Sequence, residues 1–161
     1  MVAMPRSSAI LGLLCLFLAS PAFAQSKDVA YRCAGEAAAG LWYNEQTKKW
    51  EGASFRPQQQ FVLKMKFVRA RESVSDYGVT VTTSGKDTGL PCTNTDTDET
   101  VTVADSDRSF SCTTVAYDYV FNLSTNRFLS MYVYGYVDGK DSNDNNPVVE
   151  GGTCTKTEPS Q

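Results

Sequence analysis

The chain has 161 residues, 42% of them hydrophobic, with a formal net charge of −3 and no histidine. An acidic balance of this kind argues against a nucleic-acid-binding protein. Because histidine is absent, Ser-His-Asp and Cys-His catalytic systems and histidine-containing zinc sites are excluded, and we expect no cofactor and no catalytic residue.

The N-terminus has the parts of an export signal. Arg6 supplies a positive charge, residues 9–19 form an apolar core, and residues 22–24 (AFA) match a small-x-small cleavage site. The core is too short to span a bilayer, and no later stretch reaches that length. Lipidation at Cys15 is not expected, because a large residue precedes it. We predict a cleaved signal peptide at 1–24, a single domain at 25–154, a flexible tail at 155–161, and a soluble periplasmic or secreted protein.

Four cysteines follow the signal segment. An even number of cysteines in an exported chain indicates two disulfides. A metal site would favour close pairs such as C-x-x-C, and the sequence contains none. Cys92 and Cys112 flank one acidic, turn-rich stretch, which favours a local bridge and leaves Cys33 to pair with Cys154. The alternative is one bridge in each half, Cys33 with Cys92 and Cys112 with Cys154.

Alternating apolar residues predict strands along most of the chain. The clearest strand is 61–71, where a change of phase near Phe67 and Val68 predicts a β-bulge. Both faces of 128–137 are apolar or amphipathic, which predicts a central strand covered on both sides. A helical turn is expected only at 35–40 (GEAAAG). The other predicted strands end at turn residues; they cover 41–44, 49–55, 78–83, 100–103, 110–123 and 148–149.

This pattern of seven to nine short strands predicts an all-β domain with two disulfides. The domain is either a small antiparallel β-barrel or a β-sandwich. Two of its predicted hairpins have similar sequences, because Asn44 and Asn122 each follow an aromatic residue in the shared pattern aromatic-Asn-x-x-Thr. The absence of glycine from the first turn predicts a loop of four or five residues. The similarity reflects either internal symmetry or hairpin chemistry that the two segments share.

Two groups of side chains are candidates for binding. Tyr132, Tyr134 and Tyr136 share one parity of the predicted strand, so they either pack in the core or form a binding face. Asp141, Asn143 and Asn145 have the first spacings of a calcium-binding loop. That loop lacks the required glycine and the closing glutamate, so a solvated hairpin loop is the favoured interpretation.

The signatures occur in a characteristic order: YRC, GLWYNEQTKKW, FRPQQQFVLKM, FSC, FNLSTNRF, a tyrosine-rich segment and a closing GGTC. In this order the chain resembles a family of short, exported, uncharacterised bacterial proteins with N- and C-terminal cysteines. The resemblance covers most of the chain after the signal segment and implies no activity. The plan is also similar to small periplasmic β-barrel inhibitors of the lysozyme-inhibitor type, and this second similarity concerns architecture alone.

The function expected from the sequence is non-catalytic binding of a protein or cell-envelope component, for example by a periplasmic inhibitor-like module. The alternatives are a structural or stress-related envelope protein without a dedicated ligand site and, less favoured, a carboxylate-dependent hydrolase. Converging carboxylates in a concave site would favour the hydrolase, whereas an exposed aromatic patch would favour the binding domain.

Overall fold

The computed structural model describes residues 28–84, 86, 88–94 and 99–157. The predicted signal peptide at 1–24 and residues 158–161 lie outside these ranges. The last strand continues past Cys154, the predicted end of the domain, and its Thr157 pairs with Ala30. In chain order the elements are β1 (Val29–Asn44), β2 (Lys49–Phe55), β3 (Gln60–Arg71), β4 (Val74–Thr83), β5 (Leu90–Cys92), β6 (Val101–Ala104), β7 (Ser109–Thr113), β8 (Asp118–Asn122), β9 (Arg127–Tyr132), α1 (Tyr134–Val137) and β10 (Val148–Thr157).

Eight strands form an antiparallel sheet that curls into a nearly closed barrel, in the order β5-β4-β3-β1-β10-β9-β8-β7. The remaining two strands lie off this path, β2 against β1 and β6 against β4. The prediction of an all-β domain is confirmed, and the barrel is the correct one of the two predicted architectures. A single β-bridge between Thr93 and Thr113 joins the ends of the path, with N···O distances of 3.0 and 2.8 Å.

Both predicted disulfides are confirmed. Cys92 and Cys112 lie beside the bridge that joins the two ends of the barrel, so their bond reinforces that seam. Cys33 and Cys154 are direct partners in the ladder between β1 and β10, with Cα atoms 4.0 Å apart. The two bonds span 20 and 121 residues of sequence, and the alternative pairing of one bridge per half is therefore wrong.

Aromatic side chains fill the barrel interior. Phe61 lies at their centre, with ring centroids 5.0 Å from Phe128, 5.5 Å from Tyr119 and 6.2 Å from Phe121. Edge-to-face packing of this kind adds to the stabilisation that burial provides. The interior-facing positions alternate with exposed ones along β3, β8 and β9, as expected for a barrel.

The predicted helical turn at 35–40 is wrong, because this segment is the middle of β1. The strand changes register between Gly35 and Ala37 while it stays paired with β10. Along its other edge it first pairs with β3 and then, from Ala38, with β2. The small side chains of this segment allow close approach of its neighbours; at Gly40 a Cβ atom would meet the carbonyl oxygen of Pro147.

The bulge predicted in β3 is confirmed by a register shift between Phe67 and Arg69. The predicted strand at 110–123 is instead two strands, β7 and β8, joined by a turn. In that turn the hydroxyl of Thr114 accepts a hydrogen bond from the backbone N–H of Tyr117. A side-chain oxygen that bonds nearby backbone groups competes with the strand ladder and can end a strand. Because apolar alternation continues through this local bond, the pattern across 110–123 did not reveal the turn.

The predicted strand at 128–137 is also shorter than expected. It ends at Tyr132, and the chain then forms the single turn α1. Gly135 is buried there, where a Cβ atom would overlap the carbonyl oxygen of Asn145. The outer face of β9 is not covered as predicted, since Leu129 is largely exposed.

The two hairpins of similar sequence have the same turn. Asn44 accepts from the N–H groups of Gln46 and Thr47 at 3.0 and 3.2 Å, and Asn122 accepts from those of Ser124 and Thr125 at 3.0 and 2.9 Å. Each four-residue turn ends in a left-handed residue, Lys48 with φ 56° and Asn126 with φ 57°. The predicted loop of four or five residues is confirmed, with four residues, and a left-handed lysine and asparagine occupy the positions where glycine is common.

Replacing Asn122 by alanine is expected to lower the free energy of unfolding by about 1 to 2 kcal/mol, because two turn N–H groups lose their acceptor. Asn44→Ala is expected to have a similar effect. Asn122→Asp is the matched control, since a carboxylate can still accept both bonds. Urea unfolding followed by circular dichroism measures the differences, and equal stabilities of the alanine and aspartate variants would contradict the role of the side-chain oxygen.

Candidate functional site

A cleft of about 530 Å³ lies at one end of the barrel. At this end β3 and β10 begin and β9 ends, and the connections before β3, β8 and β10 form the rim. We call it the mouth cleft; its principal lining residues are Gln59, Tyr117, Ser130, Tyr132, Asn146 and Glu150. The mouths of β-barrels are among the places where ligand sites commonly occur.

Glu150 is the buried acid of the mouth cleft. It faces the interior from β10 and is only 5% exposed. Its carboxylate accepts hydrogen bonds from the backbone N–H groups of Gln58, at 3.1 Å to both oxygens, and of Gln59, at 2.7 Å. These bonds attach the connection between β2 and β3 to β10. No lysine or arginine among the described residues forms an ion pair with Glu150.

Gly35 makes room for this carboxylate. A Cβ atom at position 35 would overlap Oε1 of Glu150. The backbone N–H of Gly35 donates to the carbonyl oxygen of Gln59 at 2.9 Å, so the same three segments meet at this point. The absence of a side chain at position 35 is therefore a steric requirement of the buried acid.

Two further polar atoms in the lining residues lack partners. Oε1 of Gln59 and Oδ1 of Asn146 are buried and accept no hydrogen bond within the described residues. A buried amide oxygen without a donor costs about 1 to 3 kcal/mol. The mouth cleft thus combines one buried carboxylate with two unsatisfied hydrogen-bond acceptors.

Tyrosine rings lead from the core to the surface beside the mouth cleft. The ring centroids of Tyr119 and Tyr117 are 6.0 Å apart, those of Tyr117 and Tyr132 5.5 Å, and those of Tyr132 and Tyr134 5.7 Å. Burial raises the pKa of Tyr119, and the neighbouring Tyr117 and Glu150 raise it further. Tyr119 therefore stays neutral, and its hydroxyl keeps its proton near neutral pH.

The three tyrosines predicted as a binding face do not share one strand face. Tyr132 ends β9 and is partly buried, whereas Tyr134 and Tyr136 lie on α1 and are 45% and 54% exposed. The ring of Tyr136 packs edge-on against the indole ring of Trp50, with ring centroids 5.7 Å apart. The prediction of a single stripe is wrong because the strand ends early, and the binding role of these residues stays a prediction.

The side chains of the predicted calcium loop have separate roles. Asp141 accepts from Nε1 of Trp50 at 3.0 Å, and Asn145 accepts from the hydroxyl of Tyr132 at 3.2 Å. Asn143 accepts from the N–H of Tyr43 and donates to its carbonyl oxygen, at 2.8 and 2.9 Å. These bonds hold the loop over the end of β1 and the start of β2, where it forms a wall of the mouth cleft. Within the described ranges no group of three or more acidic or cysteine side chains is placed to hold a metal ion.

A second buried acid, Asp76 on β4, has a different environment. It is 1% exposed, and it forms ion pairs with Arg69 at 2.6 Å and Arg71 at 2.7 Å. Thr102 donates a further bond to it at 2.9 Å. The hydrogen bonds from Arg69 and Arg71 lower the pKa of Asp76 from 3.8 to about 2. Asp76 is therefore a neutralised, structural acid, whereas Glu150 has no cationic partner.

The lowered pKa of Asp76 predicts acid sensitivity. A carboxyl group whose pKa is lower in the folded state stabilises the fold above its unfolded pKa and loses this contribution as the pH falls. We expect the melting temperature to decrease from pH 3.8 towards pH 2, where Asp76 becomes protonated. Asp76→Asn removes the titrating group and should show a shallower decrease over the same range. Parallel slopes for both proteins in a pH series of thermal melts would contradict the assignment.

A second groove, of about 670 Å³, lies on the outer face of β8, β9 and β10. Val120 and Leu129 are exposed in it. Unlike the mouth cleft, it contains no buried carboxylate and no unsatisfied buried oxygen among the described residues. The mouth cleft is therefore the better candidate site.

The sequence did not indicate the central residues of this site. Glu150 follows two valines in a short predicted strand, where an acid is ordinarily solvated. The one available signal was period two along β10, which places Glu150 on the same face as Cys154. Gln59 lies between two predicted strands and Asn146 ends a predicted polar loop; only the folded barrel places Gln59 beside Glu150.

The fold and the cleft define a class of protein: a disulfide-linked antiparallel barrel with an acidic, tyrosine-walled cleft at one mouth. No family model, curated protein or solved structure significantly matches the chain. The resemblance to short exported bacterial proteins stays a prediction. Among the described residues, no helix has the length and hydropathy required to span a bilayer. Two disulfides are consistent with a non-cytoplasmic protein.

Proposed function

We propose that the protein is an exported, non-catalytic binding domain that holds a protein or cell-envelope component at the mouth cleft. The export signal in the sequence and the two disulfides support a periplasmic or secreted location, and the resemblance described above supports a bacterial origin. Side-chain hydrogen bonds attach the rim connections to strands of the barrel. The mouth cleft is therefore a preformed site, and a partner can bind there with little ordering of the rim.

The observation that carries this proposal is the pairing of a polar cleft with exposed tyrosines on α1, in the rim connection that leads into β10. Tyr134 and Tyr136 present large rings at low cost in conformational entropy, which is typical of protein-binding surfaces. Val133 and Val137 extend the exposed apolar area around them. A patch of this kind is costly to leave in water, and a bound partner removes that cost.

The arrangement of acids supports binding over hydrolysis. Of the two acids that line the mouth cleft, Glu150 is held by two backbone N–H groups and Asp144 is exposed, where it accepts from the hydroxyl of Ser142 at 3.2 Å. A carboxylate-dependent hydrolase needs one acid that protonates the leaving group and another that activates water or attacks. Both oxygens of Glu150 already accept hydrogen bonds from backbone N–H groups, an arrangement that suits recognition of a donor group better than the role of an acid catalyst.

An affinity capture experiment tests the proposal. Residues 25–161 serve as bait with periplasmic extract, beside a rim variant that carries Tyr134→Ser and Tyr136→Ser. Val68→Ser is the matched control, because Val68 is also an exposed apolar residue but lies on β3 away from the rim. We expect one stoichiometric partner on the wild-type and control baits and its loss from the rim variant. No partner at high bait concentration, or equal recovery by all three baits, would contradict the proposal.

A further inference from the structure

We infer that the mouth cleft receives a cationic side chain of the bound partner, and that an arginine guanidinium fits it best. This inference rests on the proposed binding function and names the chemistry of the group that enters the cleft. Three features carry it: a buried carboxylate without a counter-charge, two unsatisfied acceptors, and tyrosine walls.

The first feature is the unbalanced charge of Glu150. The fold neutralises its other deeply buried carboxylate, Asp76, with Arg69 and Arg71. Glu150 is also buried, at 5% exposure, but within the described part of the chain it has only the N–H groups of Gln58 and Gln59 as donors. A buried charge is stabilised most by an opposite charge that also forms hydrogen bonds. A cation from a partner would supply at Glu150 what the two arginines supply at Asp76.

The second feature is the excess of acceptors. Oε1 of Gln59 and Oδ1 of Asn146 lack donors, and both residues line the mouth cleft with Glu150. A guanidinium group carries five N–H donors and no acceptor, so it can satisfy several oxygens at once. A neutral sugar would bring acceptors of its own and would leave the charge of Glu150 unbalanced.

The third feature is the aromatic wall. The rings of Tyr117 and Tyr132 lie 5.5 Å apart and both line the mouth cleft. Guanidinium groups stack on aromatic faces more readily than ammonium groups do. Arg56 also lines the cleft, but it is exposed and forms no ion pair with Glu150 among the described residues. Arg56 therefore raises the local potential and weakens the attraction for an incoming cation.

Two isosteric probes test the charge requirement on the unmodified protein. N-acetyl-arginine amide and N-acetyl-citrulline amide have nearly the same shape, but only the first is charged. In titrations followed by two-dimensional amide NMR of residues 25–161, we expect the arginine probe to shift the signals of Gln58 and Gln59. We expect the citrulline probe to bind at least about tenfold more weakly. Equal affinities, binding of N,N′-diacetylchitobiose without binding of the arginine probe, or no response to any probe would each overturn the inference.

Variants separate recognition from folding. Gln59→Met removes the unsatisfied oxygen at nearly constant volume, so we expect unchanged or higher stability together with weaker binding of the arginine probe. A purely structural glutamine would not show these opposite effects. Gln60→Met is the matched control, because Gln60 is the exposed neighbour that does not line the cleft. If Gln59→Met left the affinity for the arginine probe unchanged, the inference would fail.

Two charge variants complete the test. Glu150→Gln is expected to reduce the affinity for the arginine probe by at least about tenfold while its weak affinity for the citrulline probe changes little. Arg56→Gln, at an exposed position, is expected to increase binding of the arginine probe only. A decrease for Arg56→Gln would contradict a cation site, and this variant stays informative if Glu150→Gln does not fold.

The inference and the proposed function can fail separately. Capture of a partner that depends on Tyr134 and Tyr136, together with no preference for the arginine probe, would leave the binding domain standing and overturn the cation site. A clear preference for the arginine probe without any captured partner would support the cation site and contradict the proposed binding domain.

Discussion

Replacing both Cys33 and Cys154 by alanine is expected to lower the free energy of unfolding by about 5 kcal/mol. The bond closes a loop of 121 residues, and a cross-link that closes a long loop removes more conformational entropy from the unfolded chain. Single domains are stable by roughly 5 to 15 kcal/mol, so the variant should be close to unfolding at 37 °C. Alanine is preferred to serine, because a buried hydroxyl without a partner would add a separate cost.

The second disulfide provides the comparison. It closes a loop of only 20 residues, and its replacement by Cys92→Ala and Cys112→Ala is expected to cost about 3 kcal/mol. The smaller loss should have a local signature, since this bond lies at the seam that the bridge between Thr93 and Thr113 closes. Amide exchange at Thr93 and Thr113 should accelerate, whereas the ladder between β1 and β10 should stay protected.

Urea unfolding of the oxidised proteins measures both losses. Circular dichroism gives the midpoints, and hydrogen exchange resolved by residue reports the seam. A larger loss for the Cys92–Cys112 variant than for the Cys33–Cys154 variant would show that seam closure dominates over chain entropy. Faster exchange along β1 and β10 in the seam variant would show that the barrel opens as a whole.

Gly35→Ala is expected to destabilise the fold by about 2 to 3 kcal/mol, which is typical of overpacking at a site that cannot expand. The new methyl group would occupy the place of the Glu150 carboxylate oxygen. The carboxylate would move away from the N–H groups of Gln58 and Gln59, and these donors would lose their acceptor. The same variant should therefore lose affinity for cationic probes at the mouth cleft.

Gly52→Ala is the matched control. Gly52 lies in β2, and no atom lies within 4 Å of a Cβ built there. Its replacement is expected to be neutral or to stabilise the fold by up to about 1 kcal/mol, because alanine loses less backbone entropy on folding. Similar losses at both positions would mean that the Gly35 effect arises from strand propensity and not from contact with Glu150.

A double-mutant cycle identifies the contact. If Gly35→Ala acts by displacing the carboxylate, its cost should be reduced in a Glu150→Ala background, where the space is empty. Side chains in contact commonly show coupling of about 0.5 to 3 kcal/mol. Additive losses in thermal or urea unfolding would contradict the proposed overlap.

Local patterns predicted much of the barrel. Alternation along residues 61–71 indicated β3, because a period of two residues between apolar positions is typical of a strand, and the change of phase indicated its bulge. Asn44 and Asn122 indicated the two turns, since their side chains bond N–H groups only two and three residues ahead. The cysteine pairing followed from the short acidic stretch between Cys92 and Cys112. Each of these signals lies within a few neighbouring residues or in the order of the cysteines.

The wrong predictions arose where tertiary contacts override local preference. Residues 35–40 have an alanine-rich sequence that permits a helical turn, but ladders on both edges hold them in β1. The tyrosines of 128–137 alternate as in a strand, yet the close approach of Gly135 to Asn145 places Tyr134 and Tyr136 on a helical turn. Small residues permit such approaches, and a sequence does not indicate which backbone will come near.

The sequence by itself determined the all-β class, the two hairpin turns and the disulfide framework, because these depend on periodicity, turn chemistry and cysteine order. Only the tertiary structure decided that the sheet closes into a barrel and that Glu150 becomes the buried acid of a cleft. Glu150 meets Gly35, Gln58 and Gln59 through the pairing of strands that are distant in sequence. The charge of a carboxylate can be read from the sequence, but its burial and its missing partner depend on which strands lie beside it.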